Sequence, residues 1–140
     1  MNLAVSLHAV SDKLRDTLMP INKRYPLENL IQACEAFQSK TGRMITLEYV
    51  LLKDINDSLE DADGLAAIAK RLRVKVNLIP YSAVPDLNFE SPQRKDIRVF
   101  MKRLIDKGTK ATLRESQGKD IQAACGQLAG KIMNRNLSHE

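Results

Sequence analysis

The sequence has few cysteines and no long apolar run, and each absence limits what the chain does. Its two cysteines, Cys34 and Cys125, form no Cys-x-x-Cys pair and belong to no cluster of three, so they supply no cysteine-held metal cluster. No apolar run approaches the roughly eighteen residues that a membrane span needs. The run 3–7 is too short for a secretory leader. We therefore expect a cytoplasmic protein with two free thiols.

Length and charge fit one basic domain. The 140 residues are 44% hydrophobic and 28% charged, with a net charge of +5, which is enough material for a packed core. We expect an ordered domain over residues 1–133 and a frayed tail over residues 134–140. The basic balance fits a polyanionic partner such as nucleic acid, but domains without such a partner reach similar values.

The hydrophobic pattern alternates between two periods. Short apolar runs rich in β-branched residues predict strands, and stretches with apolar residues every three or four positions predict helices. The predicted strands cover 3–7, 44–52, 74–80 and 109–116, and the predicted helices cover 12–18, 27–40, 59–72 and 95–107. This alternation predicts an α/β fold with a mostly parallel sheet and flanking helices. Ligands gather at the carboxyl ends of such strands, where His8, Lys53 and Ser82 follow the predicted strands.

The two cysteines have different surroundings. Cys34 lies on the apolar face of the helix predicted over 27–40, which favours a place in the core. Cys125 lies among small residues, in Ala-Ala-Cys-Gly-Gln-Leu-Ala-Gly, which leave its sulfur open to approach. A lone cysteine is nevertheless more often a small buried apolar group than a nucleophile. A cysteine hydrolase built from Cys125 and His8 lacks a third orienting residue and an oxyanion hole. On its own, His8 is more typical of a satisfied or exposed surface group.

Five segments, taken in order, resemble a known family. They are LAVSLHA, MPINKRYPLENL, ITLEYVLL followed by Asn56-Asp57, KVNLIPY and DIQAACGQLAG. Together they resemble the RlmN family of radical S-adenosylmethionine enzymes, which methylate carbon-2 of an adenine in 23S ribosomal RNA and, in some cases, in tRNA. The resemblance covers nearly the whole chain. It implies the C-terminal half of a partial (βα) barrel.

The resemblance also implies roles for particular residues. Cys125 would be the cysteine that carries the methyl group, and Ser6, Leu7 and His8 would contact S-adenosylmethionine. Ser82 would add a further contact, but it stands where the family has asparagine. A serine hydroxyl lacks the reach and the second polar group of an amide.

The family mechanism uses two molecules of S-adenosylmethionine. The resemblance implies that the first methylates the thiolate of Cys125 and that the second is cleaved at an iron–sulfur cluster to give a radical. The CxxxCxxC loop that holds the cluster lies upstream of where this sequence begins, so we expect no metal ligands in this chain. The Gly-Glu-Pro motif, the general base and the second, product-releasing cysteine of the family lie upstream as well.

The implied partners are RNA and the missing cluster-bearing part. Ribosomal RNA, and tRNA in some members, would be the substrate, and a separate N-terminal chain with the CxxxCxxC motif would complete a split enzyme. Two other interpretations stay open from the sequence. In the first, the chain is a non-catalytic remnant that binds RNA. In the second, it is a truncated product with no stable function.

Overall fold

A four-stranded parallel sheet forms the centre of the fold. The computed structural model describes residues 3–82 and 88–114 of the chain. All neighbouring strands are parallel, in the order β1-β2-β3-β4. The strands are β1 Leu3–Ser6, β2 Ile45–Leu51, β3 Lys75–Pro80 and β4 Ala111–Leu113. Parallel neighbours need a crossover between them, and helices supply it, which confirms the predicted α/β fold.

The helices lie close to where the apolar periodicity predicts them. They are α1 Asp12–Leu18, α2 Leu27–Thr41, α3 Leu59–Leu72 and α4 Arg94–Asp106. A short 3-10 helix, Pro20–Lys23, was not predicted; it begins at a proline, which suits a first helical position. α3 begins with a capping box between Ser58 and Asp61.

Three helices cover one face of the sheet. Residues of α2, α3 and α4 form one buried cluster with alternate residues of the strands. Leu47 and Tyr49 of β2 point into this cluster and are 1% and 0% exposed, as the period of two along a strand requires. Cys34 is 5% exposed in the same cluster, which confirms its predicted place in the core.

The first strand lies at the outer edge of the sheet. In the described part of the chain β1 pairs with β2 alone, and Leu3 of β1 is 41% exposed. An edge of this kind agrees with half of a barrel, because a closed barrel has no free edge.

Two predictions concern residues beyond the described ranges. The boundary between residues 133 and 134 falls there, and so does the end of the strand predicted over 109–116, of which the described part contains Ala111–Leu113. Within the described residues, no helix is long and apolar enough to cross a membrane.

Candidate ligand site at the carboxyl end of the first strand

The turn that follows β1 presents its three residues in different ways. Ser6 is exposed, and its hydroxyl has no hydrogen-bond partner among the described residues. Leu7 is 1% exposed, with its side chain in the core under the helices. Its backbone N–H donates to the Glu48 carbonyl at 2.9 Å. Of the two, only Ser6 therefore offers a side chain to a ligand.

His8 is buried and takes the place of a strand residue. It is 3% exposed, with a left-handed backbone at φ 58°. Its Nδ1 atom accepts a hydrogen bond from the Val50 N–H at 3.1 Å. The imidazole thus continues the hydrogen-bond ladder along β2 after β1 has turned away, and it satisfies a backbone donor that would otherwise be buried and unpaired.

The same contact fixes the proton of the His8 ring. Burial, assisted by the charge of Arg15, lowers the pKa of His8 to about 4, so the ring is neutral near neutral pH. Because Nδ1 accepts a hydrogen bond, the proton of the neutral ring is on Nε2. Nε2 has no hydrogen-bond partner among the described residues.

Arg15 holds the backbone of the turn. Its guanidinium is buried, with the residue 5% exposed, and its three nitrogens donate to three different oxygens. Nε donates to the Leu7 carbonyl at 3.1 Å and Nη2 to the Ser6 carbonyl at 3.3 Å. Nη1 donates to Oδ1 of Asn22 at 2.8 Å. One side chain therefore fixes two successive carbonyls of the turn.

Asn22 connects Arg15 to two carboxylates. It is 1% exposed, and its Nδ2 donates to Asp12 at 2.9 Å and to Asp16 at 2.7 Å. The hydrogen bonds from Asn22 and from the Leu27 N–H hold the pKa of Asp12 below its usual value. A buried guanidinium is costly without compensating charge, and this network brings two acids close to it.

Asn56 secures the other side of the turn. It is fully buried, and its Nδ2 donates to the carbonyls of His8, at 2.9 Å, and Val50, at 2.7 Å. Its Oδ1 accepts from the Leu52 N–H at 2.7 Å. The Asn56 amide thereby forms, with the end of β2, the hydrogen bonds that the backbone of a neighbouring strand would form.

Sequence reasoning did not assign these supporting residues to the site. It placed Arg15 in the helix predicted over 12–18 and Asn56 shortly after the strand predicted over 44–52. One signal was present for Arg15, which shares a helical face with Leu18 at three-residue spacing, so that a charge interrupts an apolar stripe. Asn56 gave no comparable signal, because its partners are as many as 48 residues away.

The remaining predicted site residues have less defined surroundings. Ser82 is exposed, directly after the buried Tyr81 at the end of β3. Lys53, after β2, forms an ion pair with Glu90 at 3.7 Å. Cys125 and the segment around it lie outside the described residues.

The described residues do not fit an iron–sulfur cluster. Among them, no group of three or more His, Cys, Asp or Glu side chains could hold a metal ion. Cys34 is packed in the core, and burial raises the pKa of its thiol, which disfavours the thiolate that binds iron. S-adenosylmethionine needs polar groups rather than thiolates, and the Ser6 hydroxyl and Nε2 of His8 are two polar groups that no described residue engages.

Sequence comparison identifies relatives that carry one name. No model of a known protein family matches the sequence. The chain is 47% identical to the dual-specificity RNA methyltransferase RlmN of Geotalea uraniireducens (strain Rf4) over 94% of this chain and 38% of that one. It is 49% identical to the RlmN of Pelobacter propionicus, with the same shares covered. The RlmN of Pseudomonas fluorescens is 43% identical over 100% of this chain and 37% of its own length.

A solved structure agrees with these relatives. A radical SAM methyltransferase from Sphaerobacter thermophilus superposes with a TM-score of 0.83 at 46% identity, over 91% of this chain and 37% of that one. The chain belongs to the RlmN family. It corresponds to the C-terminal part of these proteins and spans 38% of the length of the Geotalea relative. A domain of a pyruvate-formate lyase-activating enzyme from Bacteroides vulgatus shares the fold alone, with a TM-score of 0.64 at 20% identity.

Proposed function

We propose that this chain is the C-terminal part of an RNA methyltransferase of the radical S-adenosylmethionine class, acting on carbon-2 of adenine in ribosomal RNA and tRNA. The turn after β1 carries the proposal. Arg15 and Asn56 fix its backbone, and no described residue forms a hydrogen bond with the Ser6 hydroxyl or with the N–H at Nε2 of His8. The relatives that are 43% to 49% identical are named dual-specificity RNA methyltransferases.

Each residue of the turn has a separate part in binding S-adenosylmethionine. Ser6 contacts the ligand through its hydroxyl, and His8 donates from Nε2. Leu7 anchors the turn in the core and contributes backbone alone, since its side chain is 1% exposed. Ser82, exposed directly after β3, adds a hydroxyl from the end of that strand, which β2 separates from β1.

The chemistry is divided between this chain and the cluster-bearing part. Bound S-adenosylmethionine supplies the methyl group and, when it is cleaved at a cluster held by other residues, the radical. In this chain, the thiolate of Cys125 accepts the methyl group as a nucleophile. The cluster-bearing residues belong to the part of the relatives that this chain does not span, supplied either by the same protein or by a separate N-terminal chain.

Reconstitution tests the proposal. The chain is combined with a protein bearing the CxxxCxxC motif under anaerobic, reducing conditions, and methyladenine is measured in ribosomal RNA and tRNA. We expect product with the wild-type chain and none with Cys125→Ala. Absence of product with the wild-type chain would contradict the proposal.

The rival function, an RNA-binding remnant, predicts a different outcome from the same variant. The net charge of +5 favours affinity for RNA, and such affinity falls steeply with salt because bound counterions are released. In a remnant, Cys125→Ala leaves RNA affinity unchanged, and no methyladenine forms with either protein.

A further inference from the structure

A row of polar side chains crosses the sheet in register with Ser6. Ser6 pairs with Glu48, Glu48 with Asn77, and Asn77 with Thr112. Side chains at one register position share a face and lie about 4.8 Å apart from strand to strand. We call these four residues the polar row. It lies on the face opposite α2, α3 and α4.

The alternation of burial places the polar row on that open face. Its neighbours along the strands are buried under the helices: Leu47, Tyr49, Val76 and Leu78, each 0% or 1% exposed. By contrast, Ser6 and Thr112 are exposed, and Glu48 and Asn77 are partly exposed. On the same face, Val50 and Ile79, two residues further along β2 and β3, are buried in a second cluster, so the polar row borders a packed part of this face.

Within the polar row, Glu48 has unused hydrogen-bonding capacity. Oε2 of Glu48 lies 3.7 Å from Nη1 of Arg114, which is an ion-pair distance and too long for a hydrogen bond. The described residues donate no hydrogen bond to the carboxylate, whose side chain is 23% exposed. Arg114 thus supplies a counter-charge and leaves both carboxylate oxygens able to accept.

The other half of the polar row is already paired. The hydroxyl of Thr112 donates to Oδ1 of Asn77, so this amide oxygen has a partner on its own sheet. Next to Ser6, the acceptor without a hydrogen bond is therefore Glu48. A hydroxyl and a carboxylate at neighbouring positions form a site for a group with adjacent donors.

We infer that Glu48 is a further ligand-contacting residue, which accepts hydrogen bonds from the ribose hydroxyls of S-adenosylmethionine bound beside Ser6. This rests on the proposed function. A ribose diol has two adjacent O–H donors, and a carboxylate has two oxygens at matching spacing. Dinucleotide-binding proteins recognise ribose hydroxyls with an acidic side chain for the same reason. A ribose within RNA is a poorer match, because its 3′ oxygen is esterified.

The test measures the affinity of the whole 140-residue chain for S-adenosylhomocysteine and for its 2′-deoxy analogue by titration calorimetry. The proteins are the wild type, Glu48→Ala, Glu48→Gln and the control Glu35→Ala. Glu35 is a carboxylate that likewise pairs with an arginine, Arg71, between α2 and α3, away from the polar row.

We expect Glu48→Ala to weaken binding about tenfold, in the range for a hydrogen bond to a charged group, and Glu48→Gln to weaken it less. The wild type should bind the 2′-deoxy analogue more weakly by a similar factor, and Glu48→Ala should show no further loss with that analogue, since both changes remove one contact. Glu35→Ala should bind like the wild type.

Two results overturn the inference while the proposed function stands. One is equal affinity of the wild type for S-adenosylhomocysteine and its 2′-deoxy analogue. This comparison does not depend on whether any variant folds. The other is an undiminished affinity of Glu48→Ala, or losses from the variant and the analogue that simply add. If the wild type does not bind S-adenosylhomocysteine at any concentration tested, the proposed function fails, and this inference fails with it.

Discussion

Nδ1 of His8 accepts a hydrogen bond from the backbone N–H of Val50, 42 residues further along the chain. This contact makes one ring nitrogen part of the hydrogen bonding of the sheet, while the other has no hydrogen-bond partner among the described residues. A proton added to the ring would have to go to Nδ1 and would break the contact. The turn after β1 is therefore coupled to pH through a single atom.

The coupling predicts a loss of stability in mild acid. The pKa of His8 is about 4 in the folded chain, against 6.5 for the unperturbed side chain. Above the unfolded pKa both states are neutral. As the pH falls below the pKa of His8 in the unfolded chain, the unfolded chain binds a proton at His8 and the folded chain does not. The free energy of unfolding therefore decreases until the pH reaches the pKa of His8 in the folded chain. The full loss is about 3 kcal/mol.

Urea denaturation at a series of pH values measures this effect. In His8→Asn the titrating group is absent, and asparagine tolerates the left-handed backbone at this position. We expect this variant to be less stable at neutral pH and to show a flatter pH dependence between the two pKa values. An unchanged slope in His8→Asn would show that His8 is not the titrating group.

Replacing Arg15 with lysine should destabilise the fold although the charge is kept. An ammonium group does not reach the Ser6 and Leu7 carbonyls and Asn22 together, because it lacks the planar fork of donors. We expect a loss of about 3 kcal/mol, typical of a disrupted buried charge network, in chemical denaturation. Arg103→Lys, at a partly exposed ion pair with Asp63, is the matched control and should change less. Equal effects of the two variants would contradict the assigned role of Arg15.

Asn56→Asp should be strongly destabilising with almost no change in shape. The carboxylate would place an oxygen against the carbonyls of His8 and Val50, which now accept from Nδ2. We expect a loss of about 3 kcal/mol at neutral pH, measured by thermal melting. The control is Asn88→Asp at an exposed position. Recovery of Asn56→Asp at low pH would identify ionisation as the cause, whereas similar melting of both variants at neutral pH would refute the prediction.

Gly64→Ala should lower stability even though alanine is the better helix former. A Cβ atom at Gly64 would lie 2.8 Å from Cγ2 of Val10, which lies just past His8. We expect this clash to exceed the gain in helix propensity of about 1 kcal/mol. The double variant Gly64→Ala with Val10→Ala removes the clash and should recover part of the melting temperature. A higher melting temperature for the single variant would show that Val10 moves freely.

Ser82→Asn should tighten the binding of S-adenosylhomocysteine. Asparagine has longer reach and offers a donor and an acceptor, and it is the residue that the family resemblance implies at this position. Calorimetry should show an increase in affinity of about fivefold, the value of one neutral hydrogen bond. Ser58→Asn, at the cap of α3, controls for a general effect of the substitution. Weaker binding in Ser82→Asn would count against a contact from this strand end.

The sequence predicts the architecture well because the architecture follows from local patterns. The periods of two and 3.6 place four strands and four helices close to their observed bounds, and the apolar face around Cys34 predicts its burial. The 3-10 helix at Pro20–Lys23 escaped prediction because a single turn has too few residues to show a period.

The site was less predictable because long-range contacts build it. The motif Ser6-Leu7-His8 was visible in the sequence, but nothing local indicates that Ser6 is exposed while Leu7 and His8 are buried. The roles of Arg15 and Asn56 depend on carbonyls that only the folded turn brings within reach. Side chains that bond to backbone leave little trace in hydrophobic patterns.

The exposed edge of β1 has a consequence for the chain on its own. On one side of Leu3–Ser6, no strand among the described residues pairs with the backbone. The unpaired N–H and C=O groups on that side form a template for strand addition. If the cluster-bearing part proposed above adds to the same edge, that part and a second copy of this chain compete for one set of backbone hydrogen bonds. Protein concentration thereby becomes a control on assembly, so dilute chain mixed with excess partner favours the mixed complex over self-association.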